Sequence, residues 1–113
     1  MTCVKSEAEK AIGKQLLRNY FDAMVNHFFK ILPMRENEEA SLPTYMCSLQ
    51  VELIGCGDLV SSLRTDPSFL TLLSILQYLI GHPACEVADV RREVFHAINI
   101  CHKLRAMYES EVP

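Results

Sequence analysis

Three histidines and two cysteines in the last third of the chain come nearest to a reaction centre by type and spacing. His82-x-x-Cys85 has a usable metal-ligand spacing, and His96 with Cys101-His102 adds further imidazole and thiol donors. Zinc needs about four such groups converging on one point. On a helix, His96 and Cys101 lie five residues apart, more than a turn, and Cys101 and His102 point to different faces. The pattern predicts a buried thiol with surface or rim histidines, and neither a metal ion nor a cofactor.

Cys56 is the second place where chemistry could sit. It stands between Gly55 and Gly57, where a thiol would be approachable. A cysteine nucleophile needs a thiolate, an adjacent base and oxyanion donors. Asp58 disfavours the thiolate, and no cysteine-enzyme signature surrounds the residue. Glu36, Glu38 and Glu39 belong to an acidic, solvated run, and two glycines do not make a phosphate cradle. No catalytic residue is assigned, and the chain reads as a non-enzyme.

Lys10, Lys14 and Arg18 recur every four residues and form a polar helix stripe. The net charge of −3 gives no support for a nucleic-acid binder, which normally carries a basic excess. RNA recognition would also want exposed aromatics among the basic residues, and here they fall on apolar stripes.

The elements that position these residues read as helices. Ser6 and Glu9 form a capping-box signature. A broad apolar face follows from Ile12 through Phe21, Met24 and Phe28 to Leu32, and Pro33 is expected to stop the helix. Residues 33–42 read as an acidic loop. A second helix starts at Pro43, and Gly55-Cys56-Gly57 is expected to break or bend it, with Asp58 recapping a short helix. Asp66 then Pro67 is a helix start, because the carboxylate accepts from free backbone amides and proline has none to lose. Phe69 to Ile80 leaves no continuous polar face, which predicts burial on several sides. The run is shorter than the roughly 20 apolar residues a membrane span requires. Val87, Val90, Val94, Ala97, Ile98, Cys101, Leu104 and Tyr108 then recur in steps of three and four, the mark of a helix with one buried face. The expectation is a single all-α domain over 1–113, with helices at about 6–32, 43–55, 58–64, 67–81 and 85–108.

Half of the 113 residues are apolar, ample for a core without staples. The five cysteines have no tight spacing, and Met1 to Lys5 resembles no secretory leader. Both favour a reducing intracellular compartment, the cytoplasm or nucleus.

Leu72-Leu73 to Leu79, then His82-Pro83, then Val90-Arg91 with Val94, Ala97, Ile98 and Cys101 resembles a HEAT or armadillo repeat. The likeness covers about one repeat, residues 67–108. The chain departs from the family at Val94, where a smaller alanine is commoner, and between Pro83 and Val90, which is longer. The resemblance implies antiparallel helix pairs packed as a stack, the other arrangement open to these helices being a compact bundle.

The apolar surface of these helices exceeds the need of one small bundle, and Tyr20, Phe29, Met34, Tyr45 and Met107 are candidate leftovers. The expected function is protein–protein interaction, with a partner helix or peptide held in an apolar groove. Tyr20, Phe28, Phe29 and Tyr45 are the expected anchors, and Arg91 and Arg92 would orient the partner. The alternative is a small homodimeric regulator or chaperone-like adaptor, and an enzyme or metal-binding protein stands third.

Overall fold

A computed structural model describes residues 7–108, with side chains from residue 13. The fold is all-α: α1 (Glu7–Glu36), α2 (Leu42–Leu59), α3 (Ser61–Arg64), α4 (Pro67–Gly81) and α5 (Val87–Met107). No strand occurs among the described residues.

Two expected breaks are absent, for different reasons. Pro33 lies inside α1, which runs on to Glu36. A proline loses only its own amide bond and crowds the turn before it. The amide of Asn37 still donates to the Pro33 carbonyl at 2.9 Å, so the turn after the proline closes. The helix ends where Glu38 takes a left-handed φ of 51°. The Glu39 amide then reaches back to Met34 O (2.9 Å) and the Glu38 amide to Arg35 O (3.1 Å), a Schellman closure with glutamate where glycine is usual. The expected acidic loop 33–42 shrinks to residues 37–41.

Gly55-Cys56-Gly57 does not break α2, which continues to Leu59. Gly57 is there for packing. A β-carbon on it would stand 2.9 Å from Phe69 Cε2, so only glycine lets α2 and α4 come this close. The chain turns one step later, at Val60, whose extended backbone (φ −118°, ψ 95°) separates α2 from α3.

The start of α4 is as the sequence predicts: the Asp66 carboxylate accepts from the amides of Ser68 (2.9 Å) and Phe69 (3.1 Å), with Pro67 in the first turn. The expectation that α4 is buried on several sides needs correction. Phe69, Leu72, Ile75, Leu76 and Leu79 are buried, while Leu70, Thr71, Ser74, Gln77 and Tyr78 face solvent.

The four long helices close a ring. α1 packs on α2 and α5, and α4 packs on α2 and α5, whereas the backbones of α1 and α4, and of α2 and α5, do not approach closely. Asp22–Arg105 and Arg35–Cys85 contacts run α1 against α5 antiparallel. Tyr45–His27 with Cys56–Tyr20 does the same for α2 on α1, and Gln50–Gln77 with Gly57–Phe69 for α2 on α4. This is the neighbour pattern of an up-and-down bundle. It shows nothing specific to a HEAT or armadillo repeat. The core along the ring's axis is continuous and wholly apolar, with Phe21, Phe28, Leu53, Leu63, Leu76, Val94 and Leu104 fully enclosed.

Candidate functional site

The reactive side chains stay apart. His82 caps α4, with its ring stacked on Tyr78 (centroids 4.2 Å apart) and its Nδ1 2.8 Å from Tyr78 O. His96 and His102 are exposed, and Cys101 is fully buried. Burial pushes the Cys101 thiol up to about 12, so it is no thiolate at neutral pH. Among the described residues no three His, Cys, Asp or Glu side chains converge as a metal site would require. Cys56 is half-buried beside Tyr20. Its pKa is also raised, by burial first and then by the Glu52 charge, while the Tyr20 hydroxyl works in the opposite direction. A thiol held protonated is a poor nucleophile.

The six expected partner-binding residues do not form one patch. Phe28 is not an anchor at all: it is fully buried on the stripe Phe21, Met24, Phe28, Ile31, whose steps of three and four face the bundle axis. Tyr45 is half-buried, and its hydroxyl donates to His27 O at 2.9 Å, tying α2 to α1. Phe29 is 42% exposed and meets Phe95 edge-to-face, with centroids 5.8 Å apart, across the α1–α5 seam. Arg91 lies 3.9 Å from Glu36, and Arg92 pairs with Asp89 (3.0 Å) and Glu93 (3.4 Å), all on the polar rim of that seam. Such exposed pairs contribute about 0–1 kcal/mol each. Of the other leftovers, Met34 packs against the core and Met107 is about half exposed.

Tyr20 stands elsewhere, in a groove between α1 and the α2–α3 corner. The groove has a volume of about 680 Å³. Leu17, Tyr20 and Cys56 line it, and Leu16 and Leu59 stand at its sides, 63% and 88% exposed. The Tyr20 hydroxyl is buried without a conventional hydrogen-bond partner, and burial raises its pKa. Sequence reasoning found Tyr20 but missed Leu16 and Leu59. The extended residue at Val60 is what leaves Leu59 standing out from the end of α2.

A second apolar surface lies on the outside of α2 and α4. Val51, Ile54 and Leu70 are 69%, 47% and 47% exposed. The Gln50–Gln77 hydrogen bond (2.7 Å) fixes the antiparallel register and sets Ile54 beside the half-buried Leu73. α4 carries no charged residue and α2 only Glu52 and Asp58. The missing charge was legible in the sequence, where it read as burial.

No helix among the described residues is long and apolar enough to cross a membrane. Comparison of the chain with protein-family models, with curated proteins and with solved structures finds no match.

Proposed function

We propose that the chain is a protein-interaction module, not an enzyme, and that it holds an amphipathic partner helix or peptide in the α1–α2 groove. One observation carries this reading: Leu59, the most exposed large apolar side chain among the described residues, and Leu16, 63% exposed, flank the same concave surface, which Tyr20 also lines. Such residues in water forgo about 25 cal/mol for each Å² left uncovered. A helix presenting apolar residues at i, i+3 or i+4, and i+7 fills such a groove with two or three anchors. Tyr20 stays on the expected list of binding residues, Leu16, Leu17 and Leu59 join it, and Phe28 leaves it. The HEAT- or armadillo-like reading of the α4–α5 pair is kept only as part of this proposal. A reducing intracellular setting is supported by Cys47, Cys56, Cys85 and Cys101, all free thiols.

Self-association is a second reading, favoured by the charge-poor α2–α4 face. Two copies meeting there about a two-fold axis would bring no like charges from α4 together.

The test is a selection of binders from a displayed library of amphipathic helices, followed by titration against Leu59→Asp and Ile54→Asp variants. The groove reading expects binders whose affinity drops at least tenfold with Leu59→Asp and is unchanged with Ile54→Asp. Binders sensitive only to Ile54→Asp, or none from a diverse library, would overturn it. Light scattering over a concentration series decides the second reading, through a dimer that Ile54→Asp dissociates.

A further inference from the structure

The bundle's opposite end holds a cation whose hydrogen bonding is incomplete. Arg35, near the end of α1, reaches beneath the α4–α5 turn, where its Nη2 donates to Cys85 O at 2.9 Å. Its Nε is sealed from solvent and has no hydrogen-bond partner. Among the described residues the guanidinium takes part in no ion pair. Burying a charged donor in this state is costly, and an acceptor on the accessible part of the guanidinium would offset some of that cost.

Arg35 also borders a pocket of about 480 Å³ between the α1–α2 and α4–α5 turns. The pocket's wall includes Ile31, Leu42, Met46, Leu79 and Val90, every one a core residue. A concave, largely apolar site of roughly 300–1,000 Å³ with a few placed polar groups is the usual form of a small-ligand site, and here those groups include Arg35 and His82. Glu38 and Glu39 also line it.

We propose that this pocket binds a small aliphatic monocarboxylate, of the chemistry of a medium-chain fatty acid. The carboxylate accepts from the Arg35 guanidinium, the donor geometry that matches it best. The alkyl chain lies on the apolar wall. Glu38 and Glu39 repel any anion and a dianion more than a monoanion, so a monocarboxylate on Arg35 is favoured over dicarboxylates and phosphates. This site is independent of the α1–α2 groove and involves none of its residues.

The experiment is calorimetric titration of decanoate, below its micelle concentration, into the whole chain at neutral pH. Decanol and decanedioate serve as comparison ligands. Saturable binding of one decanoate is expected, with decanol and decanedioate at least tenfold weaker. Arg35→Gln should weaken decanoate at least tenfold. Ala84→Trp, which fills the pocket from its exposed turn and leaves Arg35 in place, should abolish binding. Thermal melts establish that each variant is folded, and the comparison among ligands on the unaltered protein stands even if one is not. No saturable binding, equal binding of decanol, or undiminished binding by folded Arg35→Gln overturns the proposal.

Discussion

Replacing Gly57 by alanine sets helix propensity against packing at a single atom. An alanine inside a helix is favoured over glycine by about 1 kcal/mol. At Gly57 the new methyl would lie 2.9 Å from Phe69 Cε2 and 3.3 Å from Cζ, closer than ordinary van der Waals contact. Phe69 is 2% exposed and has little room to withdraw. Overpacking of this kind costs about 1–3 kcal/mol, so the net effect is a loss of about 0–2 kcal/mol. Gly55, two residues earlier in the same helix, is the control, because a β-carbon there meets nothing within 4 Å. Gly55→Ala should therefore stabilise by about 1 kcal/mol, leaving the two variants about 1–3 kcal/mol apart. Urea unfolding followed by circular dichroism measures both. Phe69→Leu should couple with Gly57→Ala, its own cost shrinking in that background, because the ring is what the methyl strikes. If Gly57→Ala stabilises as much as Gly55→Ala, the close α2–α4 approach is wrong, and so is the register on which the α2–α4 face depends.

Further outcomes follow from the same contacts. Glu38→Gly should raise stability by about 1 kcal/mol, because the left-handed Schellman position penalises any side chain; a lowered urea midpoint would contradict this. Tyr45→Phe should cost about 0.5–1.5 kcal/mol through the lost bond to His27 O, and an unchanged midpoint would count against that tie between α1 and α2. Cys101 should set a pH dependence. Its folded pKa is raised, so above about pH 9 the unfolded chain gives up a proton that the folded one keeps. Stability then falls by up to about 1.4 kcal/mol per unit as pH rises toward 12, and Cys101→Val should flatten that slope relative to the unaltered chain. A thiol reagent under native conditions should modify exposed Cys47 quickly and buried Cys101 only on unfolding.

Much of the fold was legible because it rests on local signals. Asp66-Pro67 before an apolar run and the three-four stripe of Val90, Val94, Ala97 and Cys101 each specify a helix without reference to the rest of the chain. Pro33 and Gly57 mislead because each residue type has two uses. Proline both ends helices and sits near their last turn; glycine both bends chains and admits a neighbour. Only the Asn37–Pro33 hydrogen bond and the Phe69 ring show which use applies. The candidate site was harder still. Phe28 and Phe29 are adjacent on an apolar helix, yet about 100° of helical rotation puts one on the bundle axis and the other at the surface. A periodic pattern gives the width of an apolar face but not how much of it the partner helices cover. Leu16 and Leu59, 43 positions apart in sequence, share a groove only because α2 turns back along α1 and stops at Val60.

The most direct test of the account is an amide chemical-shift footprint of the tightest library-selected helix on the isotopically labelled chain. Shifts are expected to concentrate at Leu16, Leu17, Tyr20, Cys56 and Leu59, with Ile54, Leu70, Phe29 and Phe95 unmoved. A footprint centred on the α2–α4 face or on the Phe29–Phe95 pair would contradict it.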